Sequence, residues 1–247
     1  MDGAGRTARA ETQPATASTD ASIGTEGDRP ALTAALADIF EQAGTLIRLA
    51  HHQQLALMPP GDDCSYLVRS GTLALETATP ARHILGFWHG DDLMQVAQLP
   101  ALPRLALRAL EASELWRLRR RALEALFSEV PDAPAAYHYA SAAAFKRMMV
   151  ANTMLGRLNG EERVVSFLVS TALRLGRVTG NRVTMRMPMS RADIADHLGL
   201  NPDTLSRIVT GLKDASLIES HGRFGLIICD WRGLQSRTPI VAALADA

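Results

Sequence analysis

The sequence lacks most of what an enzyme, a secreted protein or a membrane protein needs. Its two cysteines, Cys64 and Cys229, stand far apart and form no C-x-x-C, zinc or iron–sulfur spacing. A reducing, cytoplasmic setting is the expectation. No run approaches the ~18 apolar residues of a membrane span. The opening M-D-G-A-G-R-T-A-R-A-E-T has no apolar core segment, so no secretory signal is expected. Charge of one sign is missing too: 26 Lys and Arg balance 26 Asp and Glu. From Gly160 onward the basic surplus is only two, so bulk electrostatics offers a nucleic acid little. G-x-S-x-G, the P-loop and G-x-G-x-x-G are all absent, and no enzyme site is expected.

What is present is concentrated in Ser190–Lys213, S-R-A-D-I-A-D-H-L-G-L-N-P-D-T-L-S-R-I-V-T-G-L-K. Ser190 with Asp193 three residues on is an acidic variant of the capping box that opens a helix. Ile194, Ala195 and Leu198 give it one apolar face, and Gly199 ends it where positive φ is needed. Asn201 and Pro202 then form a second start signal, a cap followed by proline at the first helical position. Leu205, Ile208, Val209 and Leu212 turn to the core and leave Asp203, Thr204, Ser206, Arg207 and Thr210 outward. Two short helices about a tight turn are a helix-turn-helix. Arg207 and Ser206 are residue types that bond base edges, arginine most readily to guanine O6 and N7.

The length, 247 residues, has room for two domains. Residues 1–30 are rich in Ala, Thr, Ser, Gly and Asp without periodicity and are expected to be a disordered tail. A helix is predicted over Ala31–Ala43, with Leu32, Leu36, Ile39 and Phe40 on one side. From about Leu55 to Leu118 short strand-like runs alternate with turn residues, the pattern of a small antiparallel sandwich or roll. Metal-dependent enzymes on such rolls use clustered ligands such as H-x-H, whereas His83 and His89 stand alone. A short helix is predicted over Arg119–Phe127. A long one follows over Ala135–Leu158, on which Tyr137, Ser141, Ala144, Met148, Ala151, Leu155 and Leu158 recur at heptad spacing. This narrow, small-residue seam suits either packing on the chain's own roll or close approach of a second helix. Asn159 with Glu162 starts another helix. R-V-T-G-N-R-V-T-M-R predicts a strand pair, and L-I-E-S-H-G-R-F-G-L-I-I-C two strands about a tight turn, a wing.

G-D-D-C-S-Y-L-V-R-S-G-T-L-A-L, I-L-G-F-W-H-G-D and L-R-A-L-E-A-S-E-L-W-R-L resemble the β-roll of the cyclic-AMP receptor and fumarate–nitrate regulator (CRP/FNR) family. L-G-R-L-N-G-E-E-R-V-V-S-F-L-V and the helix-turn-helix resemble its fumarate–nitrate and FixK-like branch. The resemblance spans roughly Leu32–Asp230. It implies an α+β chain: a cyclic-nucleotide-binding-like β-roll over 31–134, a dimerisation helix over 135–158 and a winged helix-turn-helix over 159–247. It further implies a DNA-binding homodimer that contacts RNA polymerase, with the heptad seam as its interface. By matching positions, Asp203, Ser206 and Arg207 stand where the family's E-x-x-S-R reads TTGA-like half-sites, with Asp one methylene shorter than the family's Glu. Arg191, Asn201, Thr204, His221 and Arg223 stand where phosphates are held.

The effector is less defined. The family's phosphate cassette carries G-E-L, then R-S, R-T or R-A; here Met94, Gln95 and Val96 replace the first part and only Arg104 of the second survives. Cyclic AMP is therefore not expected, and two cysteines cannot ligate an iron–sulfur cluster that needs four. Haem through the adjacent His51–His52, or a redox change at Cys64, would fit the contending reading, a ligand-sensing roll with a vestigial DNA-binding module.

Overall fold

The computed structural model describes residues 29–57, 63–78 and 81–247. The expected tail lies outside these residues except for its last two, which open the first helix.

Helix α1 (Arg29–Ala43) leads into β1 (Thr45–Leu49), β2 (Gln54–Ala56), β3 (Cys64–Ser70), β4 (Thr72–Thr77), β5 (His83–His89) and β6 (Leu93–Gln95). A 3-10 turn over Val96–Gln98 and the strands β7 (Ala106–Ala109) and β8 (Ser113–Arg119) complete the N-terminal half. Helices α2 (Arg120–Glu129), α3 (Ala133–Arg157) and α4 (Gly160–Leu175) follow. The rest is β9 (Arg177–Thr179), β10 (Arg182–Arg186), α5 (Arg191–His197), α6 (Pro202–Asp214), β11 (Ile218–His221), β12 (Gly225–Ile228), α7 (Trp231–Gln235) and α8 (Val241–Asp246).

Eight strands form two antiparallel sheets in the orders β1-β8-β3-β6 and β2-β7-β4-β5. Their facing sides bury Tyr66, Val68, Leu73, Leu75, Met94, Leu107 and Leu115 in one apolar cluster. The chain turns from β3 to β4 at Gly71 (φ +88°), where a Cβ would collide with the Ala112 carbonyl and with Ser113. β1 lies ahead of the strand-like region expected from about Leu55. β6 has only three residues and takes its extended form by pairing with Ser65–Leu67, too short a stretch for any alternation to show.

On the outer side of the first sheet, Leu36, Ile39 and Phe40 of α1 pack with Leu67, Leu93, Leu118 and the start of α3. The outer side of the second sheet has a different neighbour. Ala74 of β4 and Ile84 of β5 belong to the same buried cluster as Val164, Leu168, Ile194, Ala195 and Leu205 of the C-terminal helices. A four-stranded sheet in the order β11-β12-β10-β9 closes that cluster from the far side.

Polar joints flank this shared core. Asp92, in the turn between β5 and β6, accepts the guanidinium of Arg174 on α4 at 2.6 Å and that of Arg147 on α3 at 3.0 Å. It also accepts the backbone N–H of His89 at 2.7 Å. His89 is buried, within reach of the charges of both arginines. Burial, then the Arg174 charge, push its pKa down to about 4. An unfolded histidine titrates near 6.5, so the neutral ring stabilises the fold fully above that pH, and the contribution falls away between about 6.5 and 4. We expect His89→Gln to remove roughly 2–3 kcal/mol of the stability that the parent loses between pH 7 and 4.5. Urea unfolding at both pH values measures this; equal losses in parent and variant would show that His89 is not held neutral.

Candidate nucleic-acid interface

The site is built from capped ends. The Ser190 hydroxyl accepts the Asp193 N–H at 3.0 Å, and Asp193 Oδ2 in return accepts the Ser190 N–H at 3.2 Å. This completes the reciprocal box that opens α5. Gly199, at φ +61°, lets the chain reverse, with the Leu200 N–H donating back to the Ala195 carbonyl at 2.9 Å. Asn201 Oδ1 then accepts the Asp203 N–H at 2.8 Å and Pro202 occupies the first turn, so α6 starts with its φ already set. Ala195, Leu198, Leu205 and Leu212 are fully buried between and beneath the two helices and make them one rigid pair.

Three further bonds tie this pair to the long helix. Arg163 donates to the carbonyls of Leu155 at 2.8 Å and Leu158 at 2.9 Å, where α3 ends, and to Leu198 at 3.1 Å, in the helix-turn-helix turn. Sequence reasoning missed Arg163, because its three acceptors are main-chain oxygens that no residue pattern marks.

The outward face of α6 carries Asp203 and Arg207, both exposed, with Ser206 half-buried between them. A spacing of three and four residues places all three on one side of the helix. Arg207 Nη2 donates to the half-buried Thr204 hydroxyl at 3.3 Å, which keeps the guanidinium beside the helix without burying it. The residues expected to hold phosphates lie on α5, at the start of α6 and in the turn after β11. Arg191, exposed, is the first residue of α5. Asn201 spends its side-chain oxygen on the cap, which leaves its amide N–H groups as donors. His221 and Arg223 flank Gly222 (φ +64°) in the exposed turn between β11 and β12, the predicted wing. Arg223 and Arg186 each lie over the Phe224 ring, at 5.0 and 5.5 Å from its centroid.

The heptad seam divides in the structure. Tyr137 turns to the chain's own roll, sharing a hydrogen bond of 2.6 Å with Ser65, and Ser141 bonds Gln95. Leu158 is buried in the C-terminal core, while Ala144, Ala151 and Leu155 are half-buried. Met148 alone of the seven is largely exposed, at 58%, and it has company: Phe145 is 59% and Met149 48% exposed on the same stretch of α3. The apolar side of α3 that its own chain leaves uncovered is therefore centred on Phe145, Met148 and Met149. The reason is geometric: Ser65 and Gln95 anchor the first turns of α3 by Tyr137 and Ser141, and that fixes which side faces away.

The cassette segment faces inward as well. Met94 and Val96 are buried among the roll's apolar side chains and Gln95 is bound to Ser141. Arg104 is exposed, in left-handed backbone at φ +53°. His51 and His52 stack on one another at 3.7 Å in an exposed turn between β1 and β2, and Cys64 is buried in the roll. Among the described residues no three His, Cys, Asp or Glu side chains cluster as metal ligands, and no helix is long and apolar enough to cross a membrane.

Residues 162–237 match the Crp-like helix-turn-helix domain. A nitrogen fixation regulation protein FixK of Azorhizobium caulinodans is 36% identical over 116 residues, covering 47% of this chain and 47% of that protein. A fumarate and nitrate reduction regulatory protein of Yersinia pestis is 26% identical over 175 residues, covering 68% of this chain and 70% of that one. The chain thus spans about half the length of the first relative and somewhat over two thirds of the second. The solved structure of FixK2 from Bradyrhizobium japonicum superposes with a TM-score of 0.68 at 22% identity, covering 79% of this chain and 98% of that chain, and shares the fold.

Proposed function

We propose that the chain is a member of the CRP/FNR family, in its FixK-like branch, and a sequence-specific DNA-binding transcription regulator, a reading supported by the matched helix-turn-helix domain and by the FixK and fumarate–nitrate relatives. One observation carries the reading: a rigid, doubly capped helix pair presents Asp203, Ser206 and Arg207 on one uncovered face, and Arg191 and the wing residues His221 and Arg223 are exposed as well. The proposed division of labour follows from side-chain chemistry. The Arg207 fork takes a guanine edge, while Asp203 accepts from a cytosine amine and Ser206 serves either base. Arg191, Asn201, Thr204, His221 and Arg223 hold phosphates and carry no sequence information. The target is a two-fold site with TTGA-like half-sites, bound by a cytoplasmic homodimer that then meets RNA polymerase.

The proposed dimer contact is the exposed apolar side of α3. Two copies of Phe145, Met148 and Met149 would cover one another, consistent with three large side chains left in water on one helix. Met148→Glu would place two carboxylates inside that contact. We expect sedimentation to shift toward monomer and DNA affinity to fall with it, since one half-site supplies only part of the binding surface. A dimer unchanged in Met148→Glu assigns the contact elsewhere.

Reading and holding separate experimentally. Arg207→Ala should flatten the preference at one base pair in each half-site, a loss of ~1–3 kcal/mol of discrimination per half-site. Arg191→Ala should weaken all sequences alike and reduce the salt slope by about one unit for each phosphate no longer neutralised. Selection on randomised duplexes at two salt concentrations measures both. Retention of every base preference by Arg207→Ala would overturn the reading, and a roll protein with a vestigial DNA-binding module would take its place.

A further inference from the structure

The Asp193 carboxylate has two partners besides the cap it completes. Its Oδ2 is taken by Ser190, through the backbone N–H and the hydroxyl at 2.7 Å. Its Oδ1 accepts Arg82 Nη2 at 2.5 Å and Arg108 Nη2 at 2.7 Å, both from the β-roll. The same two guanidiniums donate through Nε to Glu76 Oε2, at 3.1 and 3.0 Å, and Gln54 donates to the other Glu76 oxygen at 2.8 Å. Two arginines and two carboxylates therefore form a closed, charge-balanced square between β4, the entry to β5, β7 and the first turn of α5. The Glu76, Arg108 and Asp193 side chains are 8, 12 and 9% exposed, so water screens these three little, while Arg82 is the open corner at 45%. Burial alone would raise the Asp193 pKa, but the bonds from Arg82 and Ser190 and the Arg108 charge outweigh it and hold the carboxyl below its ordinary range.

A second set of bonds sets the angle of α5. β5 is the edge of its sheet, and Ile84 on that edge donates its N–H to Asp196 at 2.6 Å, while His197 Nδ1 meets its carbonyl at 3.2 Å. The polar side chains of α5 thus occupy the place of a further strand. His197 also packs edge-on to Phe87, at 5.1 Å between centroids. Because α5 and α6 are one rigid pair, what fixes α5 fixes the outward face of α6 relative to the roll and to α3. The docked arrangement leaves Arg191, Asp203, Arg207, His221 and Arg223 exposed, so docking on the roll does not cover the face assigned to DNA.

We propose that Asp193, through Arg82 and Arg108, is a positioning residue: the square sets where the recognition face stands, and with it the distance between half-sites that a dimer accepts. The proposal rests on the DNA-reading assignment above, and its test has one arm that does not. In the full chain, Glu76→Gln, Arg82→Gln and Arg108→Gln together remove the roll's side of the square without leaving an unpaired charge on the roll. Arg82→Gln alone is the milder variant, at a side chain 45% exposed, and decides the matter if the triple variant fails to fold.

In the free protein, amide hydrogen exchange at Ile84 and along α5 should rise about tenfold or more in the triple variant and severalfold in Arg82→Gln. Exchange in the β3–β8 pair should stay as in the parent. Unchanged exchange at Ile84 and α5 overturns the square as a joint. The second arm is selection on duplexes whose half-sites are kept and whose spacer is varied by one or two base pairs. The parent should favour one spacing; the variants should lose at least tenfold of that preference and keep the base preference within each half-site. Faster exchange with an unaltered spacing preference overturns the positioning role. If the parent itself shows no base preference, the DNA-reading assignment fails, and the exchange arm alone judges the joint.

Discussion

The structure depends on one hairpin. β4 and β5 are ordinary members of the roll's second sheet on their inner side, where Leu73 and Leu75 join the roll interior. On their outer side Ala74 and Ile84 belong to the core of the C-terminal half. A single strand pair therefore serves two hydrophobic clusters, which its alternation of side chains makes possible. Ion pairs then bracket the apolar contact. Asp92 with Arg147 and Arg174 closes one end, and Glu76, Arg82, Arg108 and Asp193 close the other. Arg186 of β10 paired with Glu111 of the roll adds a further tie. Apolar burial gives such a contact its strength but little direction, whereas paired charges with fixed geometry give it register.

This arrangement explains how a chain with no net charge could present the proposed DNA-reading face. Many of its arginines are spent internally: Arg82, Arg108, Arg147, Arg163 and Arg174 all hold one part of the chain to another. The exposed basic groups on the helix-turn-helix and wing, Arg191, Arg207, Arg223 and His221, are few. A small number of placed contacts favours specificity over bulk electrostatic affinity.

What the sequence made legible was local. Gly199, Asn201 and Pro202 act within four residues of themselves, and the turn and cap they imply are in the structure. The S-x-x-D opening of α5 was half legible. The cap can be read from spacing, but the carboxylate's other partners, Arg82 and Arg108, lie 111 and 85 residues away in the chain. The long helix shows the limit most plainly. Its many alanines let several faces pass as a seam, and the choice is made by Ser65 and Gln95, which belong to strands that no helical pattern contains. Phe145 and Met149 lie off the heptad read from the sequence, yet they are what the fold leaves exposed. The roll as a class was visible in its turn residues, while β6 exists only because β3 pairs with it.

The central claim is that α6 enters a major groove in each of two half-sites. Chemical protection of guanine N7 tests it most directly, on a duplex recovered by selection with the parent protein. The account predicts one protected guanine per half-site, symmetrically placed, with the half-site centres about one helical turn apart. Backbone protection without any protected guanine, or a single patch with no symmetric mate, would contradict it.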